Sequence, residues 1–166
     1  MRYTSGVVEL TEIKQRSLRV PRELATSSTF LLKRLGGIVK DRYSAVFEAA
    51  DAVPFDYPML ALLAQGACAT QSTIADVLRY DRSYLVGLLD DLEGRGLIER
   101  RRDVNDRRRH VVTLTKAGEK ELGRLRGIVG ELDEDMLAPL TAAERKTLNG
   151  LLSKLAAAHD PRYSTD

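Results

Sequence analysis

Apolar positions recur at helical spacing through most of the chain. Phe30, Leu31, Leu35, Ile38, Tyr43, Val46 and Phe47 predict a long helix over 22–50, opened by Pro21 and stopped by Val53-Pro54. Gly36-Gly37 falls inside that run, where it weakens the helix or permits a close helix contact. A short helix over 57–65 ends at Gly66. Thr70 or Ser72 caps a helix over 71–78, and Arg79-Tyr80 makes a turn. Asp81 caps a further helix running to about Glu93, with Leu85, Leu88, Leu89 and Leu92 as its apolar stripe. After Gly94 and Gly96 the period shortens. One strand starts at Leu97-Ile98, Asp103-Val104-Asn105-Asp106 has turn composition, and a second strand runs from His110 to Leu114. Thr115 caps a helix over 116–137, with Leu122, Leu125, Ile128, Val129, Leu132 and Met136 on its apolar side, and Pro139 breaks it. Thr141 and Glu144 form a capping box that opens a last helix to about Ala158, with Leu148, Leu151, Leu152 and Leu155 on one face.

This order predicts a mainly α fold with a small β wing: a winged helix-turn-helix over about 54–115, flanked by helices over about 21–52 and 116–158. The flanking helices carry more apolar surface than a unit of ~70 residues needs to cover itself, so they are expected to pack against a second copy in a two-fold homodimer. Residues 1–20 form an N-terminal arm, packed on a partner subunit or left as a tail.

With 43% hydrophobic and 30% charged residues in 166, the composition is that of a globular protein. The net charge of +2 is too small to indicate a partner, so its distribution decides. Arg95, Arg100, Arg101, Arg102, Arg107, Arg108 and Arg109 cluster around the ribbon, while Glu131, Asp133, Glu134 and Asp135 lie in the C-terminal third. A two-stranded ribbon with a cationic tip suits the grooves and phosphates of double-stranded DNA. Arg100, Arg101 and Arg102 alternate along a strand and cannot all face one groove, so at least one is expected in an internal ion pair. The scarcity of aromatics, 5% with no Trp, weighs against stacked recognition of single strands.

Several function classes are excluded or disfavoured. The single Cys68 allows no internal disulfide and is read as a buried, unreactive thiol. His110 and His159 lack ligand spacing, so neither a metal nor another cofactor is expected. No apolar run approaches the ~20 residues of a membrane span and no signal-peptide pattern opens the chain, which predicts a cytoplasmic protein without a membrane partner. There is no Gly-rich phosphate loop, His-Glu-x-x-His or nucleophile elbow, and the adjacent Asp90 and Asp91 point to different sides of a helix. The chain is therefore not read as an enzyme.

Asp106-Arg107-Arg108 followed by Val112-Thr113-Leu114-Thr115 and Gly118 resembles the wing signature of the MarR family of bacterial winged helix-turn-helix transcription regulators. The segment Leu92-Glu93-Gly94-Arg95-Gly96-Leu97-Ile98-Glu99-Arg100 resembles that family's link from recognition helix to wing. The resemblance covers 22–158 within a single MarR-like unit placed at 21–166. It implies a triangular homodimer on a palindromic operator, usually a repressor released by a small-molecule effector. It also implies that the helix capped by Asp81 enters the major groove, with Arg82, Ser83, Tyr84 and Val86 at contact positions. Arg108 matches the arginine that enters the minor groove, Arg107 would meet an adjacent phosphate, and Arg109 completes the wing set. Asp90 matches an aspartate that steadies the wing through an arginine, and Asp106 is grouped with it as wing support.

Gly87 departs from the family's pattern, which often has a polar or basic residue there. Direct readout is then thinner, with Tyr84 or groove shape carrying more of the discrimination. A ligand pocket is expected where the helices over 22–50, 57–65 and 116–137 meet; Tyr43, Phe47, Phe55 and Tyr57 either line it or are ordinary core. Some relatives sense oxidants through a cysteine in the first helix, a position that Cys68 does not match. The alternative is a winged-helix module that binds protein or ligand without sequence-specific DNA binding.

Overall fold

The computed structural model describes residues 19–66, 69–102 and 110–163. The chain divides into two compact units between Asp41 and Arg42, within one helix. In the first unit, α1 (Arg22–Ala25) starts after Pro21 and ends at Thr26, and α2 (Ser28–Ala49) follows. The single helix predicted over 22–50 is thus interrupted. The Thr26 hydroxyl donates to the Arg22 carbonyl at 3.0 Å, and the Ser27 hydroxyl accepts from the Phe30 N–H at 3.4 Å. Short hydroxyl side chains that satisfy nearby backbone groups offer the chain an alternative to continuing the helix. Gly36 and Gly37 do not break α2, and a methyl at either would meet no described atom within 4 Å. Leu31, Leu32, Leu35 and Val39 are exposed.

The second unit continues from the end of α2 through α3 (Asp56–Leu63), β1 (Ala69–Thr70), α4 (Gln71–Leu78), α5 (Arg82–Gly94), β2 (Ile98–Arg102), β3 (His110–Leu114), α6 (Lys116–Met136), α7 (Ala142–His159) and a 3-10 turn (Pro161–Tyr163). Its core joins Phe47 of α2, Met59 and Leu60 of α3, Ile74 of α4, Leu85, Leu89 and Leu92 of α5, Ile98 and Val112 of the strands, and Leu122 and Leu125 of α6. Each such side chain contributes about 1.5–3 kcal/mol through burial. The helix-turn-helix is thereby packed between its flanking elements and its wing.

The sheet has three antiparallel strands in the order β1-β3-β2. The sequence pattern predicts only two of them. β1 is two residues long, too short for a period, and exists because Ala69 and Thr70 pair with Val112 and Val111. Thr70 also caps α4, accepting from the Thr73 N–H at 3.2 Å. One residue therefore ties the start of α4 to the inner strand of the wing.

Two further joints set the frame. Thr115 caps α6 by accepting from the Gly118 N–H at 3.1 Å, while its hydroxyl donates to the Gly96 carbonyl at 2.7 Å. A methyl on Gly118 would stand 2.0 Å from the Leu97 carbonyl oxygen, so only glycine fits this helix start against the turn before β2. The capping box of α7 is present, with the Thr141 N–H donating to the Glu144 carboxylate at 2.8 Å and the Glu144 N–H to the Thr141 hydroxyl at 3.3 Å. No residue of α7 is buried, and Leu151, Leu152 and Leu155 are exposed. Beyond α7, Arg162 pairs with Asp160 and donates to the Asp76 and Val77 carbonyls at 2.5 and 3.1 Å, which holds the 3-10 turn at the C-terminal end of α4.

Candidate nucleic-acid interface

The turn between α4 and α5 is built from one left-handed residue and one cap. Arg79 adopts φ 54 and ψ 39, and the Tyr80 N–H returns to the Ala75 carbonyl at 3.1 Å. Asp81 then opens α5, its carboxylate accepting from the Ser83 N–H at 2.9 Å, the Tyr84 N–H at 3.3 Å and the Ser83 hydroxyl. These bonds, that of the Ser83 hydroxyl foremost, hold the Asp81 carboxyl below the usual carboxylate range. The anion lies at the helix end where exposed N–H dipoles favour it.

With Leu85, Leu89 and Leu92 turned into the core, the helical period leaves Arg82, Ser83, Tyr84, Val86 and Gly87 on the exposed side of α5. A methyl on Gly87 would meet no described atom within 4 Å, so packing does not demand glycine there. Tyr84 is 46% exposed yet not free-standing. Its ring packs edge-on against Phe55 (5.7 Å, 82°) and Tyr80 (5.9 Å, 86°), and those two pack edge-on against each other (5.9 Å, 79°). Ring quadrupoles favour this arrangement. Burial, with Tyr84 adding to it, raises the Tyr80 hydroxyl above its ordinary value.

In the wing, Ile98 pairs with Leu114, Arg100 with Val112 and Arg102 with His110. Strand alternation puts Arg100 on the same side as buried Ile98. Its guanidinium Nε donates to Glu93 Oε2 at 2.8 Å, and its Nη2 meets Glu93 Oε2 at 2.5 Å and Asp90 Oδ1 at 2.6 Å. The Arg100 N–H also donates to Glu93 Oε1 at 3.1 Å. Asp90 and Glu93, one turn apart on α5, thus clamp the root of the wing to that helix. Arg101 pairs with Glu99 of its own strand at 2.9 Å.

The arginine cluster read from the sequence needs a correction at Arg95. It lies at the C-terminal cap of α5, not on the ribbon, and binds Asp56 through two hydrogen bonds of 2.7 and 2.9 Å and Asp91 at 2.7 Å. Asp56 is 2% exposed, a buried carboxylate that the sequence reading missed by starting its helix at Tyr57. An acidic residue just after a helix-stopping proline was the available local signal, but nothing local names its partner. Arg102 is exposed at the end of β2. Asp106, Arg107, Arg108 and Arg109 of the expected wing tip lie outside the described residues, as does Cys68.

The four aromatics considered for a ligand pocket separate. Phe47 is fully buried and Tyr43 stacks on it at 4.5 Å and 24°. The Tyr43 hydroxyl donates to the Pro54 carbonyl at 3.4 Å, and burial foremost pushes it up to about 12. Tyr57 is half-buried against the core, whereas Phe55 turns to Tyr80 and Tyr84. A groove of about 400 Å³ lies between the end of α2 and α6, walled by Val46, Ala50, Ile128 and Leu132 and bearing the carboxylates of Glu131 and Asp135. Asp135 pairs with Arg42. Among the described residues no group of His, Cys, Asp and Glu could hold a metal ion, and no helix is long and apolar enough to cross a membrane.

A capped second helix with an exposed polar face, clamped to an antiparallel ribbon, defines a winged helix-turn-helix protein. The sequence model of the MarR family matches residues 56–110. The transcriptional regulator HosA of Escherichia coli is 31% identical over 121 residues, covering 73% of this chain and 79% of HosA. A protein of Thauera aromatica named as a candidate transcriptional regulator of the hcr operon is 39% identical over 99 residues, and the chain spans 60% of its length. Among solved structures, the transcriptional repressor CouR bound to a 23-mer DNA duplex superimposes with a TM-score of 0.71 at 31% identity, covering 83% of this chain and 99% of CouR. The chain belongs to the MarR family.

Proposed function

We propose that this protein is a DNA-binding transcription regulator that sits as a homodimer on a palindromic duplex and acts as a repressor relieved by a small molecule. The observation that carries this reading is the clamp between Arg100 and the Asp90–Glu93 pair, which makes recognition helix and wing one reading head. Arg82, Ser83, Tyr84, Val86 and the open backbone at Gly87 are assigned to the major groove, and Arg107, Arg108 and Arg109 to the wing contact. Asp90 and Asp106 are assigned to wing support. The DNA-bound state of CouR supports the assignment.

Exposed leucines on α7, and separately those on α2, are the surfaces assigned to the second copy. Residues 1–20 are assigned to an arm and 21–166 to the MarR unit. The groove beside α6 offers an effector apolar walls. An effector bound there would shift the spacing of two recognition helices that must reach half-sites roughly 34–36 Å apart. We assign the protein to the cytoplasm and assign no catalysis to it.

A gel-shift titration on duplexes selected from a random pool, repeated over a salt series, tests this reading. Affinity should fall with log[salt] at a slope of about −0.9 per phosphate contact. A flat salt response would reassign the module to protein binding.

A further inference from the structure

Phe55 lies outside the α4–α5 pair of helices and the turn between them. It lies on the connection from α2, immediately before α3, and is 43% exposed. Its place is set from two sides. Behind it, the Pro54 carbonyl accepts from Tyr43, which stacks on buried Phe47 of α2. Ahead of it, its ring meets Tyr80 of the turn and Tyr84 of α5. Tyr84 is therefore held between one ring from the turn and one from the chain leading out of α2.

We propose that Phe55 is a positioning residue that sets the side-chain rotamer of Tyr84 and so the way its phenol is presented to duplex DNA. The inference rests on the reading of α5 as the DNA-contacting helix. With no side chain at Gly87, the presentation of Tyr84 carries more of any discrimination made by α5. Tyr84 has two rotatable torsions, and edge contacts at 5.7 and 5.9 Å restrict both. A side chain ordered before binding loses less entropy on contact than a free one.

The test is a double-mutant cycle with the full chain, using anisotropy on a duplex that the wild-type protein selects from a random pool and on a scrambled duplex. Phe55→Ala should weaken binding to the selected duplex by roughly threefold to tenfold, the range expected for one aromatic pair. Phe55→Leu, which keeps most of the apolar bulk but not the ring, should lose a similar factor. Either substitution should have less than about a twofold effect when Tyr84→Ala is already present, and little effect on the scrambled duplex. Losses that are additive with Tyr84→Ala, or equal on both duplexes, would overturn the role. A second readout needs no DNA: in protein carrying ¹³C-labelled tyrosine, Phe55→Leu should shift the Tyr84 ring resonances and average its rotamers. Unchanged Tyr84 resonances would refute the inference. If the wild type selects no duplex, the regulator reading fails, and this spectrum alone decides whether Phe55 positions Tyr84.

Discussion

Asp56 and Arg95, 39 residues apart in sequence, form a two-toothed ion pair of 2.7 and 2.9 Å that joins the start of α3 to the end of α5. The carboxylate is buried, while Arg95 keeps 36% of its side chain exposed and reaches Asp91 as well. The pair ties the C-terminal cap of α5, separated from the wing strand by Gly96 and Leu97, to the start of α3.

Removing one partner of a buried ion pair leaves the other charge uncompensated, which costs about 3–5 kcal/mol when both are dry. Arg95 is partly in water, so Arg95→Met is expected to cost less, about 2–3 kcal/mol. Urea unfolding of the variant checks this. A loss below about 0.5 kcal/mol would mean that solvent already screens the pair.

Two glycines should respond in opposite ways to the same methyl. Gly87→Ala meets open space inside a helix and is expected to raise stability by about 0.8–1 kcal/mol. Gly118→Ala drives a methyl into the Leu97 carbonyl and is expected to cost about 3 kcal/mol or more. Thermal melts of both variants decide, and a neutral Gly118→Ala would contradict the joint between α6 and the turn before β2.

Arg82 and Arg100 are both cations near the proposed interface, and salt separates their roles. Arg82 is exposed at the first position of α5, so Arg82→Ala should reduce the slope of log K against log[salt] by about 0.9. Arg100 is committed to Asp90 and Glu93. Arg100→Ala should weaken specific binding by roughly fivefold to tenfold through a loosened wing, with the slope unchanged. A slope that falls by a full contact for Arg100→Ala would show that the clamp opens on DNA.

The alkaline limb of stability is assigned to Tyr43. Its hydroxyl is raised from 10.0 to about 12 in the folded protein, chiefly by burial. Folding thus favours the neutral phenol. The contribution is complete below pH 10 and is lost as pH rises towards about 12, because the unfolded chain ionises first. Tyr43→Phe should reduce that alkaline loss without abolishing it, since Tyr80 is raised as well. Near neutral pH it should cost no more than about 1 kcal/mol, because the bond to Pro54 is long. Melts across pH 9 to 12 for both proteins, with tyrosinate absorbance recorded alongside, check the assignment.

What the residues by themselves determined is most of what operates within a turn or two of the chain, the break at Thr26–Ser27 and the helix start at Asp56 excepted. Asp81, Thr115 and Thr141 cap their helices because the N–H groups they satisfy lie two or three residues ahead, whereas for α4 the structure chose Thr70 over Ser72. The leucine spacing in α5 fixes which side is buried, and so which residues remain to meet a partner. Tertiary structure alone decided what depends on residues brought together from afar. β1 needs β3 beside it before two residues become a strand. Arg95 carries the same charge as the wing arginines, and only the burial of Asp56 diverts it inward. Tyr43 and Phe47 belong with α2, whereas Phe55 belongs with Tyr80 and Tyr84, a separation that no helical period encodes. Caps and stripes act over a few residues, while ion pairs and ring contacts form only where packing has already chosen which distant side chains are neighbours.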